Sequence, residues 1–256
     1  MQKRNSRQRR NTILSLLNKQ GEVSVDQLSV RFETSEVTIR KDLTELEKNG
    51  LLLRRHGGAI PIPEELIETP VDQISENKKN IAHAAAKLLR DHNRIIIDSG
   101  STTSGIIEEL NDKRGILVMT NSLQLANAIR ELENEPILLM TGGTWDPHSE
   151  SFQGQVAEQV LRSYDFDQLF IGADGIDLER GTTTFNELTG LSKVMAEVAR
   201  EVIVMVDSEK IGRRIPNLEL PWKQISVLVT DDRLSDSDVK QITEQGVQVI
   251  LAPYSN

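Results

Sequence analysis

The sequence predicts two joined parts: an α+β head of three helices and a β-hairpin in residues 1–60, and a larger α/β body with a mostly parallel sheet in residues 75–256. Two patterns predict this. Through the first fifty positions apolar residues recur at three- and four-residue spacings, and a glycine-tipped hairpin signal follows; beyond residue 75 short apolar runs alternate with amphipathic helices. Charge divides at the same place. Residues 1–60 hold 12 Lys and Arg against 7 Asp and Glu, whereas residues 61–256 hold 18 against 32, so a head of +5 precedes a body of −14. A basic head suits a polyanion, and on charge alone it equally suits a solvated surface.

In the head, the first helix is expected over about Arg7–Lys19, with Ile13, Leu14, Leu16 and Leu17 on its apolar side and Gly21 ending it. Ser24 can cap a short second helix that runs through Phe32 and carries Leu28 inward. A third helix begins at Ser35, whose hydroxyl can accept first-turn amide protons, and stops at Asn49-Gly50. Ile39, Leu43 and Leu46 form its buried stripe, leaving Glu36, Thr38, Arg40, Lys41, Thr44 and Glu45 off it. Residues 51–60 then read as a hairpin. Three helices and a hairpin make a winged helix-turn-helix, whose third helix enters a DNA major groove. The residues expected at double-stranded DNA are Ser35, Glu36, Thr38, Arg40, Lys41 and Thr44 on that helix, with Arg54, Arg55 and His56 on the wing. The arm Lys3, Arg4, Arg7, Arg9 and Arg10 adds phosphate contacts or is a disordered basic tail.

Pro61, Pro63 and Pro70 punctuate an acidic stretch, read as a linker over residues 61–74. The body begins with a helix around Asn77–Asp91, then a strand at Arg94–Ile97. Helices follow at Ser104–Leu110, Leu123–Leu132, Val156–Arg162, Leu188–Arg200 and Ser237–Gln245, and strands at Ile116–Met119, Pro136–Met140, Gln168–Ile171, Val202–Val206, Ser226–Val229 and Val247–Leu251. In such sheets ligands sit beyond the carboxyl ends of the strands. The loops there carry Asp98, Gly100, Ser101, Thr102 and Thr103; Asn121 and Ser122; Gly142 and Gly143; Asp174; and Lys210. Ser101, Thr102, Thr103 and Lys210 suit a phosphate, while Asp98, Asn121, Asp174 and Asn186 can discriminate sugar hydroxyls or an amine. Glu150 stands in a long loop able to close over the pocket, where His148 is read as exposed, and Glu187 adjoins Asn186.

Composition removes several function classes. Cysteine is absent and the four His are scattered, so neither disulfides nor a metal site are expected, and nothing calls for a cofactor. No run approaches the roughly 18 apolar residues of a membrane span. The basic start has no apolar segment after it, so a secretory signal is not read and the cytoplasm is the simplest compartment.

Ser35-Glu-Val-Thr-Ile-Arg-Lys-Asp-Leu43, Leu46-Glu47 and Arg55-His-Gly-Gly-Ala59 resemble the N-terminal signature of the DeoR/GlpR family of sugar-metabolism regulators, and the similarity continues through nearly the whole chain. The resemblance implies a winged helix-turn-helix repressor with a ribose-5-phosphate isomerase-like sensor domain, acting as a homodimer or homotetramer on operator DNA. Residues 145–154, 170–178 and 215–222 look most like the amino-sugar branch, similar to regulators associated with glucosamine-6-phosphate synthase. That implies glucosamine-6-phosphate or a related phosphosugar effector, with Asp98 or Asp174 facing an ammonium. Residues 184–187 match the family's sensor motifs. Two alternatives stand beside this reading. A sugar-phosphate isomerase would need a base and enediolate stabilisation, yet in an alignment with the isomerase its first catalytic Asp falls on Ile171 and its Lys near Thr184, so no catalytic residue is expected; Asp177 and Glu187 are the groups that could compensate. The other alternative is a DNA-binding protein whose body only oligomerises.

Overall fold

A computed structural model describes residues 2–48, 51–55, 57–61, 74–147, 149–184, 189–213, 215 and 217–255. The chain divides into two compact units, residues 1–67 and 68–256. Of the expected linker, residues 62–73 lie outside the described set, and Ile74, at its end, is buried.

The first unit holds α1 (Gln2–Gln20), β1 (Val23–Ser24), α2 (Val25–Arg31), α3 (Glu36–Lys48), β2 (Leu53–Arg55) and β3 (Gly58–Ile60). Ser24 caps α2 through the Gln27 amide, as its position before a helical run requires. Ile13, Leu17, Leu28, Ile39, Leu43 and Leu52 are fully or almost fully buried and join the three helices in one core. Two features depart from expectation. The first helix starts at Gln2, so the basic arm has a helical backbone rather than that of a tail. The wing is three-stranded, in the order β1-β3-β2, because Val23–Ser24 pairs antiparallel with β3. That pairing depends on Gly58: a Cβ there would stand 2.1 Å from the Val23 carbonyl oxygen.

The second unit runs α4 (Glu76–Ala86), β4 (Arg94–Ile97), α5 (Ser101–Ser104), α6 (Ile106–Glu109), β5 (Leu117–Thr120), α7 (Leu123–Arg130), β6 (Ile137–Met140), β7 (Thr144–Asp146), β8 (Ser151–Gln153), α8 (Gln155–Leu161), β9 (Phe166–Ile171), β10 (Gly175–Asp177), β11 (Gly181–Thr184), α9 (Gly190–Val198), β12 (Ala199–Met205), β13 (Asn217–Pro221), β14 (Val227–Asp231), α10 (Asp236–Glu244) and β15 (Gln248–Ala252). Seven strands form one parallel sheet in the order β15-β14-β12-β9-β4-β5-β6. Its faces bury alternate residues of the same strands. Ile95, Ile97, Phe170, Ile203 and Met205 pack with α4, α6 and α7; Ile96, Leu169, Ile171 and Val204 pack with α8, α9 and α10. Covering both faces is why these strands read as unbroken apolar runs.

The chain leaves the sheet's middle in one direction through β4, β5 and β6, then returns to continue the other way from β9. The order therefore reverses between β4 and β9, the switch point beyond whose strand ends sheets of this kind have their ligand crevice. The sequence did not announce two antiparallel additions: the β7-β8 hairpin and a small sheet β10-β11-β13. It also placed the first helix after β4 too late. Helical turns begin at Ser101, so Ser101–Thr103 form a first turn rather than a loop. Residues 199 and 200, read as helix, belong to β12. No helix among the described residues is long and apolar enough to cross a membrane.

Candidate functional site

Most of the head residues expected at DNA lie on α3. The Ser35 hydroxyl accepts from the Thr38 amide at 3.3 Å and lies 2.9 Å from the Thr38 hydroxyl, fixing the helix start. Arg40 is ion-paired with Glu36 at 3.0 Å, both half exposed, and Lys41 is exposed. Thr44 donates to the Arg40 carbonyl and accepts from Arg54 Nη1 at 2.9 Å, while Glu47 accepts from the Arg54 amide, so the wing is tied to the helix it flanks. Arg55 is exposed on β2; His56 lies outside the described residues.

Asp42 was not singled out from the sequence. It is 3 % exposed and accepts from Arg9 Nε at 2.5 Å and from Arg10 Nε at 2.9 Å. Two arginines expected at phosphates are thus engaged inside the head, because a buried carboxylate has to be paired. A charged residue between Ile39 and Leu43, on the buried side of α3, was the available signal.

In the body, the crevice between β4 and β9 gathers Asp98 and Asp174. The Asp98 amide donates to the Phe170 carbonyl, and its carboxyl accepts from Asn121 Nδ2 at 2.7 Å. Asn121 is fully buried and its Oδ1 accepts the Ser99 amide, so it locks the loop around Asp98. Thr103 is also fully buried and donates to the carbonyls of Asp98 and Gly100; the Ser122 hydroxyl caps α7. Thr102 is buried, whereas Ser101 remains half-buried and accepts from Lys78 Nζ at 2.8 Å. Lys78, on α4, is a cation the strand-end rule could not find. Lys210 stands in the turn after β12 and donates to the Ala173 carbonyl at 2.9 Å, beside Asp174, whose carboxyl accepts from Thr184.

The β10-β11-β13 sheet adds Glu219, 8 % exposed, which accepts from Ser192 at 2.8 Å. Burial pushes Glu219 up to about 8, with Asp98 and Asp174 raising it further against its hydrogen bonds. Burial likewise pushes Asp98 up to about 6; Asn121 and the Ser99 amide oppose this, and the charge of Asp174 adds to it. Three carboxylates therefore feel one another's charge, Glu219 buried and Asp98 and Asp174 half-buried. Gly142 and Gly143 follow β6, and a Cβ on Gly143 would come within 2.5 Å of the Gln153 carbonyl oxygen, so the approach of β8 needs that glycine. Glu150 is exposed in the β7-β8 turn; His148, Asn186 and Glu187 lie outside the described residues. Asp177 faces Arg180 at 2.7 Å and accepts the amides of residues 179 and 180, which together with the guanidinium outweigh its burial and lower its pKa. Among the described residues no cluster of His, Asp and Glu could hold a metal ion.

The shared carboxylates make the stability of the body depend on pH. With pKa values above those of the unfolded chain, Glu219 and Asp98 hold more protons in the native state, so stability falls as pH rises from about 4 to about 8. The body's melting temperature is expected to drop by a few degrees between pH 6 and pH 8.5, at roughly 2–4 °C per kcal/mol. Glu219→Gln should flatten most of that slope and raise the melting point at pH 8.5; an unchanged slope would remove Glu219 from the account.

Comparison with known proteins covers both units. Residues 9–65 match the DeoR-like helix-turn-helix domain and residues 73–232 the DeoR C terminal sensor domain. A protein of Escherichia coli O157:H7 named as an aga operon transcriptional repressor is 39 % identical over 251 residues, covering 95 % of this chain and 93 % of its own. The HTH-type transcriptional regulator GlpR of Haloferax volcanii is 33 % identical over 95 % of this chain and 96 % of its own. Among solved structures, ribose 5-phosphate isomerase A of Methanocaldococcus jannaschii superposes with a TM-score of 0.39 at 21 % identity, over 53 % of this chain and 54 % of that one.

Proposed function

The chain belongs to the DeoR family of transcriptional regulators, and on that premise we propose that it is a sequence-specific repressor of sugar or amino-sugar metabolism whose operator affinity is set by a phosphorylated amino sugar. The observation that carries the effector reading is the crevice between β4 and β9. There Asp98, Asp174 and Glu219 feel one another's charge, while Ser101 with Lys78, and Lys210 beside Ala173, stand at the same strand ends. An ammonium among the carboxylates relieves their repulsion in a region that water does not fully screen. The phosphate takes Ser101, Lys78 and Lys210, whose charge it neutralises. A glucosamine-6-phosphate-like molecule carries both groups at opposite ends.

The head meets the major groove with α3 and the backbone with its wing. One head reads one half-site, so a homodimer or homotetramer on repeated operator sequences is the working assembly. A cytoplasmic location suits that role. The isomerase alternative is disfavoured by Asp177, which Arg180 holds in a structural turn.

The test is binding of the full-length protein to DNA from its own upstream region, at fixed salt, with a panel of hexose and hexosamine phosphates. A hexosamine phosphate is expected to change affinity, and Lys210→Ala and Lys78→Ala to abolish that response while leaving DNA binding intact. Tight DNA binding that no phosphosugar alters would make the body an oligomerisation scaffold. Conversion of a phosphosugar to its isomer would revive the enzyme reading.

A further inference from the structure

We propose that Val37 reads the 5-methyl group of a thymine in the major groove, so that one operator position is set by an apolar contact; this rests on the head's binding DNA through α3. Val37 is the second residue of α3 and is 63 % exposed. It shares a helix face with Arg40, Lys41 and Thr44, at spacings of three, four and seven, opposite the buried Ile39, Leu43 and Leu46.

Neither core packing nor helix propensity accounts for a valine there. It contributes nothing to the head's apolar cluster, and β-branched residues are mediocre helix formers. Val30 and Leu51 are also exposed, at 79 % and 48 %, and single exposed apolar side chains are ordinary. What separates Val37 is its place in the first turn of the helix that enters the groove, with Arg40 and Lys41 one turn on along the same face as cations suited to phosphates. The first turn is fixed around it by the Ser35 cap and the Ser35–Thr38 hydroxyl pair. A β-branched side chain at that point has little rotamer freedom to lose on binding. The apolar feature that distinguishes bases in the major groove is the thymine methyl, and two γ-methyls on a stiff stem are its complement.

The operator is first selected from random DNA by the full-length protein at fixed salt. Each thymine is then replaced by deoxyuridine, which removes only the methyl. The wild type is expected to lose about fourfold in affinity per methyl at one position of each half-site. Val37→Ala should weaken binding to the thymine operator by a similar factor and be indifferent to uracil at that position, while responding normally elsewhere. Val37→Thr, which keeps one methyl, should fall between. The side chain lies outside the head's apolar core, so the variants are expected to melt with the wild type. If Val37→Ala and uracil weaken binding independently, or if no thymine is methyl-sensitive, the proposal is overturned with DNA binding itself intact. If the wild type selects no sequence, the DNA-binding reading fails first.

Discussion

Asp42→Ala is expected to destabilise the head by about 3 kcal/mol and to abolish operator binding under conditions where the wild type is saturated. The carboxylate is 3 % exposed and holds two guanidinium groups from α1 against α3, the helix proposed to read DNA. Removing it leaves Arg9 without this acceptor and Arg10 with only Glu45, 4.0 Å away, and breaking a buried pair from one side is costly. Because Arg9 and Arg10 retain some access to water, Asp42→Asn, which keeps shape and one acceptor oxygen, should lose about half as much. Separate melting of the head, followed by calorimetry, gives the first number; fluorescence anisotropy on labelled operator gives the second. Effector binding by the body should be untouched. Unchanged melting of Asp42→Ala would mean that the two ion pairs contribute nothing net.

The second large effect is thermodynamic coupling between the two units. If the effector changes operator affinity 100-fold, the DNA-bound protein must bind effector with affinity changed by the same factor, a coupling of about 2.7 kcal/mol. Effector titrations of free and DNA-saturated protein, at one salt concentration, measure this directly. Salt must be held fixed because operator affinity falls steeply with it through the phosphate contacts. Equal effector affinity in the two titrations would show that the crevice does not communicate with the head.

Periodicity made most of the fold legible. The buried stripe of α3, the Ser24 and Ser35 caps and the apolar central strands of the parallel sheet all follow local rules of periodicity, capping and two-sided burial. The small sheet was not legible. Gly175–Asp177 and Gly181–Thr184 are short, and Gly-Thr-Thr-Thr carries no alternation of apolar and polar residues, although all four of its residues are buried. Strand-end reasoning brought Asp98, Asp174, Ser101 and Lys210 to one edge of the fold. It could not reach Lys78 or Glu219, which arrive from a helix and from an accessory strand. Nor could it foresee that Asn121 and Thr103 use their polar groups to hold the Asp98 loop, since that depends on contacts across 22 and 23 residues in one case and on a tight turn in the other.

The strand order also sets how the body can be made. During synthesis β4, β5 and β6 emerge first and can pair with each other, but the other flank of β4 stays open until β9, which begins some 69 residues after β4 ends. The second half, β12, β14 and β15, then grows outward from β9. Its central seam is the longest-range pairing between neighbouring strands of the large sheet, and loop closure must precede any reward from it. Until then the nascent chain shows an unprotected edge of Ile95, Ile96 and Ile97, the sort of surface on which holding chaperones act and misassembly begins. The crevice proposed for the effector therefore lies at the seam joining the two halves of the sheet, and it cannot form until β9 has been made.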